Sequence, residues 1–110
     1  GDVKGKTAVL VDDMIDTAGT LCAAAQTVMD EGAAKVIACA THGVFSGPAF
    51  ERLENSAIER IVVTDTLPLR PDAPDNITVL STASTFADSI RRIFTDDSVS
   101  EIFAGENQLF

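Results

Sequence analysis

Two adjacent carboxylates, Asp12 and Asp13, close an apolar run, and a loop holding Asp16, Thr17, Ala18, Gly19 and Thr20 follows at once. An ionised carboxylate is acceptor-only, with about four lone-pair sites, which suits it to read vicinal hydroxyls. The loop supplies the complementary chemistry. Its backbone N–H groups, two threonine hydroxyls and the positive end of the next helix can receive a phosphate. Gly19 lets a ligand approach the main chain closely and permits a φ that a Cβ would resist. A phosphorylated ribose asks for both halves of this arrangement.

The elements that must hold these residues are readable from periodicity. Thr7 to Val11 reads as a continuous apolar strand covered on both faces. From Thr20 to Glu31, Leu21, Ala24, Ala25, Val28 and Met29 recur at helical spacing, with Gly32 placed to end the helix. Lys35 to Ala40 is a second strand. Thr41 to Pro48 is a loop leading into a short helix through about Asn55, with Pro48 in its first turn. Ile58 to Thr64 is a third strand, and Asp65 to Asp75, with Pro68, Pro71 and Pro74, is an irregular surface segment. Asn76 to Leu80 gives a fourth strand. Phe86, Ala87, Ile90, Ile93 and Phe94 then form the expected buried stripe of a last helix, capped from Ser81 to Ser84. The pattern predicts an α/β fold, a parallel sheet with right-handed crossovers and flanking helices on both faces. A ligand site at the carboxyl ends of the strands belongs to that architecture. Four strands are few for it, and with no initiating Met the chain reads as a piece of something longer.

Composition narrows the function classes. With 17 acids against 8 bases in 110 residues, a formal charge of -9 opposes attraction to nucleic acid or to an anionic membrane. No apolar run approaches the roughly 20 residues of a membrane span, and no signal peptide opens the chain, so a cytoplasmic location is expected. Cys22 and Cys39 fall in a helix and a strand without CxxC spacing and read as buried free thiols. Gly1 and Gly5-Lys6-Thr7 are one residue short of a nucleotide-binding loop and precede the strand instead of following it. His42 reads as a hydrogen-bonded loop residue, and Arg91 and Arg92 as a solvated helix face. Other acid-pair sites fail at named positions. A phosphoacceptor receiver lacks its later lysine, since only Arg70, Arg91 and Arg92 follow Asp65. A phosphoaspartyl hydrolase needs acids two apart, and position 14 is Met.

Val11-Asp-Asp-Met-Ile-Asp-Thr-Ala-Gly-Thr20 resembles the phosphoribosyl pyrophosphate loop shared by type I phosphoribosyltransferases and ribose-phosphate pyrophosphokinases. Thr41-His-Gly-Val-Phe-Ser-Gly-Pro-Ala49 and Ile61-Val-Val-Thr-Asp-Thr-Leu-Pro68 are similar to segments of the pyrophosphokinases, as is Ile90-Arg-Arg-Ile-Phe with Ser98-Val-Ser100. The resemblance spans nearly the whole chain and corresponds to roughly the last third of such an enzyme. It implies a type I phosphoribosyltransferase-like domain over residues 1–95 and a tail over 96–110 docked at a subunit interface. It also implies transfer of diphosphate from ATP to ribose 5-phosphate with Mg2+, giving phosphoribosyl pyrophosphate and AMP.

Carried over by position, Asp12 matches the acid that binds the ribose hydroxyls, with Asp13 as its helper. Asp16, Thr17, Ala18, Gly19 and Thr20 match the grip on the 5-phosphate. Ser98 and Ser100 match a regulatory site for ADP or inorganic phosphate. A homo-oligomer, hexamers built from dimers, is the family's habit. The catalytic Lys and Arg loop and the magnesium ligands are expected upstream of Gly1, so the isolated chain is expected to bind weakly and catalyse nothing. A non-catalytic synthetase-associated regulatory subunit and a phosphoribosyltransferase are the alternatives. The intact loop opposes the first, and segments 41–49 and 61–68 oppose the second.

Overall fold

The computed structural model describes residues 1–103, which form two compact units, Gly1–Leu80 and a second that begins at Ser81. In the first unit, β1 (Thr7–Ile15), β2 (Lys35–Gly43), β3 (Ile58–Thr64) and β4 (Ile77–Leu80) form one parallel sheet in the order β1-β2-β3-β4. Helix α1 (Gly19–Asp30) joins β1 to β2, and α2 (Ala49–Glu54) joins β2 to β3. The α/β reading and its element order hold.

Two strand ends differ from expectation. The first strand does not stop at Val11; it runs through both aspartates to Ile15, because β2 continues beside it to Gly43. Asp12 pairs with Ala40, Met14 with His42 and Ile15 with Gly43. Ladder formation here outweighs the poor strand preference of aspartate. His42 accordingly lies in β2, not in a loop, and its Nδ1 is 2.8 Å from Thr66 Oγ1.

Each strand lies one place further along the sheet than the one before, and all three connections cover the same side. Right-handed crossovers that always step in one direction require this. Ala25 of α1 and Phe50 and Leu53 of α2 pack with Val36, Ala38, Ala40, Ile61 and Val63. The third connection has no helix, yet Leu69 and Ala73 pack on the same core, and the Arg70 guanidinium sits 4.4 Å from the centre of the Phe50 ring. The expectation of helices on both faces is therefore corrected within this unit. On the other side Val9, Val11 and Leu80 are 55, 78 and 53% exposed, and Val11, Cys39, Val62 and Leu80 line an apolar groove of about 280 Å³.

The turn after α1 uses Gly32 at φ 98°, where its N–H donates to the Met29 carbonyl (3.0 Å). Cys22 and Cys39 are free and half-buried.

The second unit holds α3 (Ala83–Phe94) and a 3-10 turn, Val99–Phe103. The cap expected from 81–84 is Thr82, whose side chain makes no capping hydrogen bond; Ser81 Oγ, one residue earlier, accepts from the Ala83 N–H (3.2 Å). The apolar stripe has the expected spacing but is not buried. Phe86, Ile90, Ile93 and Phe94 are all exposed, because the unit contains too little chain to cover them. Arg92 ties the helix to the turn, donating to the Ser98 carbonyl (3.0 Å) and to Glu101 Oε2 (2.8 Å). The expected boundary at 95/96 falls inside this unit, and the tail beyond Phe103, including Phe110, lies outside the described residues.

Candidate functional site

At the carboxyl end of β1, residues Asp12, Met14, Ile15, Asp16, Thr17, Ala18, Gly19, Thr20 and Leu21 line a concavity of about 180 Å³. The chain turns from strand to helix here within three residues, and Ala18 takes the left-handed conformation at φ 65°. A left-handed alanine costs roughly 1–2 kcal/mol. It is held by burial, with only 6% exposure.

The first N–H groups of a helix lack intrahelical acceptors. Those of Thr17, Ala18, Gly19, Thr20 and Leu21 find no protein acceptor among the described residues. The Ala18 carbonyl, by contrast, is used, accepting from the Cys22 N–H (3.0 Å). One end of a twelve-residue helix thus presents unspent donors to a small cavity with no acidic residue in its first turn.

The two aspartates are not equivalent. Both are exposed, but Asp12 lines the concavity and Asp13 does not. Consecutive strand positions project to opposite sides, so the side chains do not form one acceptor patch. They are coupled through the backbone instead, with the Asp13 N–H donating to Asp12 Oδ1 at 2.8 Å. The Asp16 carboxylate accepts from the Ser46 hydroxyl, and its carbonyl accepts from the Ser46 N–H (3.1 Å).

Sequence spacing did not reveal Ser46 or Arg52. No lysine or arginine lies near the 12–20 loop along the chain, yet the fold brings the Arg52 guanidinium against it, with Nη1 3.1 Å from the Thr17 carbonyl oxygen. Both residues come from the segment between β2 and β3, and the only signal for them was that segment's Ser-Gly-Pro turn into a short helix. A wider groove of about 650 Å³ runs beside the site between α1 and α2, bordered by Gly19, Cys22, Arg52 and Ser56. Burial pushes the Cys22 thiol above its ordinary pKa, against the opposing pull of a Ser56 hydrogen bond and the Arg52 charge.

Ser98 and Ser100 belong to the second unit, where their hydroxyls lie 2.6 Å apart. Among the described residues no three His, Cys, Asp or Glu side chains gather as a metal-holding group, and no helix is long and apolar enough to cross a membrane.

Comparisons with known proteins agree on one family. A ribose-phosphate pyrophosphokinase of Clostridium acetobutylicum is 56% identical over 107 residues, covering 96% of this chain and 34% of the relative. A ribose-phosphate pyrophosphokinase of Aquifex aeolicus is 53% identical over 103 residues, with 94 and 33% covered. The crystal structure of phosphoribosylpyrophosphate synthetase from Mycobacterium smegmatis superimposes with a TM-score of 0.84 at 47% identity, covering 87% of this chain and 33% of that one. The chain thus spans about a third of the length of the relatives it matches. The model of the phosphoribosyl synthetase-associated domain matches residues 1–104, and the chain belongs to that family.

Proposed function

We propose that this chain is the ribose 5-phosphate-binding part of an enzyme that transfers diphosphate from ATP to ribose 5-phosphate, giving phosphoribosyl pyrophosphate and AMP. The observation that carries the reading is the row of unspent amides from Thr17 to Leu21, residues that line one concavity together with Asp12. The 5-phosphate accepts hydrogen bonds from the Thr17, Ala18, Gly19 and Thr20 amides and meets the helix dipole. Asp12 accepts from a ribose hydroxyl. Asp13 keeps a secondary role beside it, fixing the Asp12 carboxylate through its own N–H. Asp16 braces the loop through the hydrogen bonds of its carboxylate and carbonyl with Ser46.

Such transfer depends mainly on alignment and charge stabilisation, and the part performed here is alignment. Magnesium would bridge the ATP phosphates and neutralise charge there. The described residues gather no site for it, so we assign its ligands, and the cationic groups that act on ATP, to other parts of the enzyme. Ser98 and Ser100 are our candidates for contact with a regulatory ADP or phosphate, in a homo-oligomeric cytoplasmic enzyme.

Titration of the ¹⁵N-labelled chain with ribose 5-phosphate tests the reading. The Thr17 to Leu21 amides and Asp12 are expected to shift at millimolar ligand, and unphosphorylated ribose is expected to move them far less. No AMP should appear when ATP is added. Shifts confined to another surface, or an equal response to ribose, would overturn the assignment.

A further inference from the structure

The carbonyl groups of three consecutive residues leading into α1 are all held by one distant segment. Ile15 O accepts from the N–H groups of Val44 and Phe45 (both 3.0 Å), Asp16 O from the Ser46 N–H (3.1 Å), and Thr17 O from Arg52 Nη1 (3.1 Å). In a planar trans peptide, the C=O and the following N–H point in opposite directions. Fixing these carbonyls toward residues 44–52 therefore turns the N–H groups of Asp16, Thr17 and Ala18 the other way. The first two carbonyls are held by main-chain groups that any residue except proline supplies. The third is held by a side chain, and it belongs to the peptide just before left-handed Ala18.

We propose that Arg52 is a positioning residue for the phosphate grip: by holding the Thr17 carbonyl from outside, it aims the Ala18 N–H at the anion. The inference rests on the ribose 5-phosphate reading above. Arg52 is suited to the task. Its helix is anchored by Phe50 and Leu53, 7 and 1% exposed, so the guanidinium is delivered from a fixed base. A Cβ on Gly19 would stand 3.0 Å from Arg52 Nη1, so the small residue at the start of α1 leaves room for the guanidinium. A charged donor on a carbonyl also polarises the whole peptide, which makes its N–H a stronger donor, as hydrogen bonds reinforce one another in chains. Without Arg52, the Thr17–Ala18 peptide loses its one outward tether and can rotate, which removes an amide from the anion site.

The test compares the 110-residue chain with Arg52→Met, reading circular dichroism, the unliganded Ala18 ¹⁵N shift, and affinity for ribose 5-phosphate and for ribose. The expected result is an unchanged spectrum, a moved Ala18 resonance before any ligand is added, and about tenfold or greater loss of ribose 5-phosphate affinity. Ribose affinity should not change. An unmoved Ala18 resonance, or retained ribose 5-phosphate affinity, overturns the proposal. Should Arg52→Met not fold, the unmodified chain still decides the geometry. A scalar coupling across the hydrogen bond from the Arg52 guanidinium to the Thr17 carbonyl carbon is expected, and its absence counts against the proposal. If the unmodified chain shows no response to ribose 5-phosphate, the functional reading fails. The Ala18 shift and the coupling still report whether Arg52 sets the peptide.

Discussion

Asp16 shows how one side chain can be both a hazard and a support. On the proposed reading, an aspartate beside the phosphate weakens binding unless its carboxylate is engaged elsewhere; the Ser46 hydroxyl engages it, while the Ser46 N–H holds the Asp16 carbonyl. Ser46→Ala is expected to free the carboxylate and lower ribose 5-phosphate affinity by about fivefold, and Asp16→Ala in that background should recover much of the loss; isothermal titration reads both. The stability cost of losing the hydroxyl should stay near 0.5–1.5 kcal/mol. Cys22 gives a second residue-level prediction. Its folded thiol pKa is raised by burial, so less thiolate is present near pH 8.5 than in the unfolded chain. Iodoacetamide should alkylate it more slowly in the native chain than in urea. The raised value favours the folded state below the ordinary thiol pKa, and that contribution disappears as pH rises through the folded value. The turn from strand to helix at 16–20 was legible because its small residues and the helix periodicity after them are local in sequence. Ser46 and Arg52 were not, because their contacts depend on how β2 pairs with β1 and where α2 then lies.

At the scale of elements, the turn from β2 into α2 is closely packed. A Cβ on Gly43 would stand 2.5 Å from Phe45 Cε2, and the Phe45 ring is 2% exposed and packed 5.2 Å from that of Phe50. Gly43→Ala is therefore expected to cost about 1–3 kcal/mol by overpacking, measured as a lowered urea midpoint. Leu53→Ala, in the same layer, should cost about 2–5 kcal/mol. Helix α3 is held differently, by charges at its end. The Arg91 hydrogen bond, with the Arg91 and Arg92 charges, holds the Asp88 carboxyl below its usual pKa. A depressed folded value stabilises above the unfolded pKa of about 3.9 and fades as pH falls through the folded one. The Asp88 and Arg91 amide signals in α3 should move on acidification from pH 5 to about pH 2. Helix periodicity gave the span of α3 correctly, but an apolar stripe states only what could be buried. The extension of β1 through Asp12 and Asp13 escaped sequence reading for the opposite reason, since partner-strand pairing outweighed residue preference.

At the scale of the whole chain the formal charge is -9, and within the first unit one side of the sheet carries exposed Val9, Val11 and Leu80. Val11→Thr with Leu80→Thr removes apolar surface that is already exposed, so the change in stability should remain within about 0.5 kcal/mol. Fluorescence of a bound hydrophobic dye and any concentration-dependent increase in sedimentation should both fall. The order β1-β2-β3-β4 also has a consequence for how ligand and neighbour communicate. Val11, on the uncovered side of the sheet, and Asp12, at the concavity, are consecutive residues of β1. On the proposed reading, a body seated over Val11 would bear on the very peptide that leads into Asp12, so covering that flank would be felt one peptide away from the sugar.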